Sequence, residues 1–172
     1  AEPVPMPLVP GLGFQPDLEA IPADVRERAR IMYINYPNNP TGAVMPLSEW
    51  EKLFALSDKH GFVIAQDAAY NEMYYEKPAL SILEIDGAKE VSVEFHSLSK
   101  TFNMTGWRCG FVAGNELLVK AYAALMVKNQ SRPGTPPPPP LVIAGPGSET
   151  PYGSGIRRLA ATLGCGKSVH FP

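Results

Sequence analysis

The sequence predicts an α/β fold, a mostly parallel sheet covered by helices, and three observations predict it. Short apolar runs of strand length recur between Ile31 and Ala113. Stretches with helical periodicity separate them, the pattern of strand, crossover and parallel strand. One run leads straight into a polar cluster, Gln66-Asp-Ala-Ala-Tyr-Asn-Glu72, and chemistry gathers at strand ends in sheets of this kind.

Taken in order, Pro and Gly dominate an entry segment, residues 1–22, and Asp24 to Arg30 reads as a charged helical turn. The apolar run Ile31-Met-Tyr-Ile-Asn35 is a buried strand, ended by the Pro37 to Gly42 segment. Ser48 has Glu51 three residues on, a capping-box spacing, and Trp50, Leu53, Phe54 and Leu56 follow at helical intervals until Gly61 stops the helix. Phe62-Val-Ile-Ala65 is a second strand, Glu90 to Phe95 a third and Cys109 to Ala113 a fourth, followed by a helix from Glu116 to Val127.

After Asn129 the character changes. Ser131-Arg-Pro-Gly-Thr135 leads to five consecutive prolines, Pro136 to Pro140, then to Gly, Ser, Pro and Thr without an apolar period. Such a tract favours extended polyproline conformation and builds no core, so residues 131–172 are expected to form a disordered tail.

Bulk properties narrow the function. At 172 residues the chain suffices for one core but not for the two-domain body usual in large cofactor enzymes. A formal net charge of −2 gives no electrostatic footprint for nucleic acid. No apolar stretch approaches the roughly 20 residues that cross a bilayer, and Ala1 to Pro10 lacks the order of a signal peptide, so a cytoplasmic location is expected. Cys109 and Cys165 stand in no paired-ligand spacing and the three histidines share none, so no metal site is expected. Cys109 reads as a buried apolar residue and His96 as a packing residue. Gly164-Cys-Gly-Lys-Ser168 looks like the end of a phosphate loop, but Ala161 stands where its first glycine belongs and no strand precedes it. Asn103-Met-Thr105 is a formal glycosylation sequon without meaning in a cytoplasmic chain.

Four groups carry the chemistry: Asn39-Pro-Thr-Gly42, Asp67 with Tyr70, Ser97-Leu-Ser-Lys100, and Arg108. Singly each is ordinary: a turn signature, a helix cap, a packed aromatic, a surface lysine. In this order and spacing they resemble the fold type I pyridoxal-phosphate-dependent aminotransferases, the class I and II family. The resemblance runs from about Gly11 to Asn129. Ile34 to Gly42, Asp67 to Tyr70 and Glu94 to Arg108 look most like the LL-diaminopimelate aminotransferases. That subfamily serves amino-acid and lysine biosynthesis, making LL-diaminopimelate from tetrahydrodipicolinate with glutamate as amino donor.

The resemblance implies a three-layer α/β/α arrangement, with residues 23–130 a partial large, cofactor-binding domain. It implies transfer of an amino group between an amino acid and a 2-oxo acid through a pyridoxal 5'-phosphate Schiff base on Lys100. An amine must hold the cofactor's aldehyde and, once displaced, move a proton. A carboxylate at Asp67 keeps the ring nitrogen protonated, and donors at Asn39 and Tyr70 favour the ring's phenolate. Ser97, Ser99 and the planar charged fork of Arg108 suit a phosphate.

The family's N-terminal region and its C-terminal small domain, which supplies the arginine for the substrate carboxylate, have no counterpart here. The chain is therefore expected to begin partway through a gene, with a reading-frame shift or a joined exon at Ser131. Active sites of this family are completed by a second subunit, so the resemblance implies a homodimer for the intact form. Two alternatives remain open: another pyridoxal enzyme on this fold, such as a carbon-sulfur lyase or a different amino-acid aminotransferase, or an inactive fragment whose proline tract binds a partner. Asp67-Ala-Ala-Tyr70 leans towards transamination, because the lyases usually carry Glu and His after that Asp.

Overall fold

A computed structural model describes residues 2–130 and two short strands further on, Leu141–Val142 and Val169–His170. Pro10 to Leu12 form a 3-10 turn between strands β1 (Leu8–Val9) and β2 (Gln15–Pro16), which pair antiparallel. The entry segment thus folds as a small hairpin. Tyr36 fastens it by donating to the Phe14 carbonyl at 2.7 Å, and Met6, Leu8 and Leu18 pack against the core.

After α1 (Ala23–Arg28), strand β3 (Ile31–Asn35) enters the main sheet with the bounds expected from its apolar run. Helix α2 (Leu47–His60) leads to β4 (Val63–Asp67), which runs parallel to β3. A single turn, α3 (Ala88–Val91), leads to β5 (Ser92–Ser97), which runs parallel to β4. A short turn α4 (Leu98–Thr101) and a 3-10 turn, Thr105–Trp107, bring the chain to β6 (Gly110–Gly114), antiparallel to β5. Helix α5 (Glu116–Gln130) follows. The sheet order is β3-β4-β5-β6, so the arrangement is α/β and mostly parallel, as expected.

Strand residues alternate between two faces. On one face Ile34, Tyr36 and Ile64 pack with Trp50 and Leu53 of α2, and Tyr36 meets Trp50 edge-on at 6.3 Å. On the other, Ala65 and Val93 pack with Val119 of α5. Helices thus lie on both faces of the sheet, the three-layer arrangement of a partial large domain. Two glycines let β6 approach β5: a Cβ at Gly110 would stand 2.5 Å from the His96 carbonyl oxygen, and Gly114 has φ +136° against the Ser92 carbonyl.

Several local expectations change. Helix α2 starts at Leu47 with Pro46 as its N-cap and no side-chain cap, so Ser48 and Glu51 form no capping box. Ser48 already lies inside the first turn, where its own backbone is helical and cannot cap. The capping box instead forms at Ser81 and Glu84, opening a 3-10 turn at Ile82–Glu84. Strand β4 begins one residue later than Phe62 and β5 two later than Glu90, whose segment closes a helical turn instead. Gly61 ends α2 at φ +71°, as its place predicted. Cys109 is half-buried rather than buried, because it lies before the paired part of β6. The expectation for residues 131–172 falls outside the described residues, apart from Leu141–Val142 and Val169–His170, which pair in parallel as β7 and β8.

Candidate active site

The C-terminal end of the parallel strands is where neighbouring loops diverge, and this end carries the polar cluster. An open cleft of about 390 Å³ lies there, lined by Tyr33, Asp67, Ala69, Phe95, His96, Ser97 and Tyr122. Asp67 is the last residue of β4 and stands beside Asn35 of β3 and Phe95 of β5 in register.

The Asp67 carboxylate is held from two sides. Its Oδ1 accepts from the Ala69 backbone N–H at 3.2 Å and its Oδ2 accepts from the Tyr33 hydroxyl at 3.1 Å. Asn35 donates to the Asp67 backbone carbonyl at 3.0 Å, tying the two strand ends together. Burial first, and then the charge and hydrogen bond of Asp67, push the Tyr33 phenol up to about 12. Tyr33 is therefore a permanent donor at neutral pH.

The loop after β3 is built by its asparagines. Asn35 Oδ1 accepts from the Asn39 N–H at 3.0 Å, and Asn38 Oδ1 accepts from the Thr41 hydroxyl at 2.7 Å. Both proline peptide bonds here, Tyr36–Pro37 and Asn39–Pro40, are cis. The loop delivers the Asn39 amide to the Tyr70 hydroxyl, 2.9 Å away. Lys100, exposed on α4, carries its Nζ over the Tyr70 ring, 5.6 Å from the centroid.

Three of the expected residues, Asn39, Tyr70 and Lys100, therefore meet in one contact chain, while Asp67 and Ser97 share the cleft. The phosphate candidates do not assemble as a set. Ser99 is buried and its carbonyl accepts from the Thr105 hydroxyl at 3.5 Å. Arg108 is exposed at φ +50° with its guanidinium donating to the Thr105 carbonyl at 3.4 Å.

Two features escaped the sequence reading. Tyr33 and Asn35 reach Asp67 from the neighbouring strand, and period-two alternation along Ile31–Asn35 was the signal that could have paired them on one face. Buried Glu94 is the other. It accepts from the Ile82 N–H at 2.7 Å and the Ser81 hydroxyl at 2.9 Å, and lies 3.0 Å from His96 Nε2. His96 does pack, its ring stacked on Phe111 at 4.5 Å, but it is also an anchor point for that carboxylate.

A lysine beside a tyrosine and an asparagine, on segments that follow strands β3, β4 and β5, is the part of the expected residue set that the structure brings together. The family description "Aminotransferase class I and II" matches residues 1–138, and the chain belongs to that family. Enzymes of this family depend on pyridoxal phosphate. The chain is 54% identical over 117 residues to an LL-diaminopimelate aminotransferase of Nitratidesulfovibrio vulgaris, covering 66% of this chain and 30% of that protein. It is 57% identical over 112 residues to an LL-diaminopimelate aminotransferase of Syntrophobacter fumaroxidans, covering 64% and 29%. Among solved structures, apo-BacF of Bacillus subtilis superposes with a TM-score of 0.67 at 42% identity, over 70% of this chain and 30% of that one. The chain thus spans about 30% of the length of these relatives.

Proposed function

We propose that this chain is part of a pyridoxal-phosphate-dependent aminotransferase, which moves an amino group between an amino acid and a 2-oxo acid. One observation carries the reading: the Asn39, Tyr70 and Lys100 side chains meet in one contact chain on segments that follow strands β3, β4 and β5. When bound, pyridoxal phosphate supplies an aldehyde and an electron-accepting ring.

The residues present fit the ring end of that group. Lys100 would supply the amine that holds the aldehyde, and the same amine, when free, could carry a proton. Asp67 would hold the ring nitrogen's side of the group, its carboxylate favouring a protonated nitrogen. Tyr70, already hydrogen-bonded by Asn39, and Asn39 itself serve the ring oxygen. Ser97, Ser99 and Arg108 would have to hold the phosphate, and they do not converge on one point here: Ser99 is buried and Arg108 would have to exchange its bond to the Thr105 carbonyl.

The similarity to LL-diaminopimelate aminotransferases favours LL-diaminopimelate as product, with roles in amino-acid and lysine biosynthesis. Residues 23–130 would form the partial cofactor-binding domain, with residues 1–22 as its entry segment. A homodimer is the expected intact form, in the cytoplasm, and no helix among the described residues is long and apolar enough to cross a membrane. The relatives are aminotransferases, which favours neither a carbon-sulfur lyase nor a proline-tract binding role.

Incubation with pyridoxal phosphate, borohydride reduction and peptide mass mapping tests the reading, with Lys100→Ala as control. A single adduct at Lys100, absent from the variant, is expected. Scattered labelling that the substitution leaves unchanged would overturn it.

A further inference from the structure

The cleft's carboxylate has a partner that the family motifs do not contain. Tyr33 lies on β3 next to Ala65 of β4, on the face that also carries Asn35 and Asp67. Its hydroxyl reaches Asp67 Oδ2 at 3.1 Å, while the Ala69 N–H holds Oδ1 at 3.2 Å. One donor on each oxygen fixes the plane of the carboxylate. Each oxygen offers a second acceptor site, so the group keeps capacity for a cationic donor in the cleft.

We propose that Tyr33 is the positioning residue of Asp67, holding the carboxylate in the orientation in which it receives a protonated ring nitrogen. This role rests on the pyridoxal reading above. The phenol is suited to it because it stays protonated, pushed up to about 12, and never competes with the ring as an anion. Its own ring lines the same cleft, where the titratable neighbours are Asp67, His96 and Tyr122. Tyr33 is 63% exposed, but its backbone is fixed by the pairing of β3 with β4, which aims the hydroxyl at Asp67.

Tyr33→Phe removes the hydroxyl and keeps the ring. The whole chain and this variant are titrated with pyridoxal phosphate, and with its 1-deaza analogue, in which carbon replaces the ring nitrogen. Absorbance reports affinity and the pH midpoint of the bound cofactor's visible band. Tyr36→Phe serves as control, since Tyr36 donates to the Phe14 carbonyl on the opposite face. The expected result is a loss of about two- to tenfold in affinity for pyridoxal phosphate, the worth of one hydrogen bond. A shifted pH midpoint should accompany it, with unchanged affinity for the deaza analogue and Lys100 still labelled. Tyr36→Phe should alter thermal stability and leave the midpoint in place. Equal loss for both cofactors, or an unmoved affinity and midpoint with Lys100 labelled in both proteins, would overturn the role of Tyr33 alone. An unlabelled Lys100 in the unaltered chain would overturn the pyridoxal reading and this role with it.

Discussion

The Asn39 side-chain amide donates to the Tyr70 hydroxyl at 2.9 Å, joining a turn after β3 to the loop after β4 across 31 residues of sequence. Lys100 stands over the same Tyr70 ring at 5.6 Å. Two loops and the α4 turn thus converge on one phenol, so the three side chains are held together by the fold itself.

That contact predicts non-additive effects on cofactor affinity. Tyr70→Phe and Asn39→Ala should each weaken pyridoxal phosphate binding by about three- to tenfold. The double variant should lose less than the product, because the partners share one hydrogen bond. Stability of the unliganded chain should change by less than about 0.5 kcal/mol, since Asn39 is exposed. A double-mutant cycle on the cofactor dissociation constant checks this, and strictly multiplicative losses would contradict it.

Glu94 should matter for stability. It is 1% exposed and satisfies the Ile82 N–H and the Ser81 hydroxyl, which open the 3-10 turn, together with His96. Glu94→Ala leaves those groups without their acceptor and should cost about 3 kcal/mol. Urea denaturation measures it, and Glu94→Gln, which keeps an acceptor oxygen, should cost less.

Gly114 is irreplaceable for a different reason. Its φ of +136° excludes a side chain, and a Cβ there would stand 2.8 Å from the Val93 Cα. Gly114→Ala should destabilise the chain by about 2 kcal/mol or more. The denaturation midpoint reads this out, while Gly87→Ala, whose Cβ meets nothing within 4 Å, should suffer from its φ of +77° alone.

Alkaline pH should weaken the fold chiefly through one phenol, Tyr36, which is 2% exposed, because solvent screens the 63%-exposed Tyr33. Burial is the main cause that pushes both Tyr33 and Tyr36 up from 10.0 to about 12. A pKa raised in the folded state means that the unfolded chain loses its proton first. The stabilisation is then fully present below about pH 10 and disappears as pH rises towards 12. Denaturation midpoints measured from pH 9 to 12 should fall in that window. The fall should be shallower in Tyr36→Phe, and phenolate absorbance should show two tyrosines ionising late.

Local pattern read some of these elements well and others poorly, for physical reasons. Ile31–Asn35 was legible as a strand because its apolar run lies between a charged turn and a proline segment, but as the edge strand of the sheet it leaves Ile31 and Tyr33 exposed instead of being the buried strand expected. The Ser-x-x-Glu pattern occurs at both Ser48 and Ser81, and only the second forms a capping box. The pattern is the same; what differs is that Pro46 already starts the helix before Ser48. Asn115 illustrates a cap that spacing could have revealed, its Oδ1 accepting from the N–H groups of Leu117 and Leu118 at 2.9 and 3.1 Å.

By itself the sequence determined the α/β class and the order of the main sheet's four strands with helices α2 and α5, and its motifs supplied the candidate residues for a pyridoxal cofactor. These are properties of side-chain type and of spacing along one chain, which periodicity and motif both report. Tertiary structure decided which of those residues touch. The parallel register of β3 and β4 set Tyr33 and Asn35 against Asp67, and the packing of Ser81 and Ile82 over β5 gave the buried Glu94 its partners. Arg108, close to Lys100 in sequence, instead turned to the Thr105 carbonyl. Contacts of this kind depend on long-range register and loop direction, which no local pattern encodes.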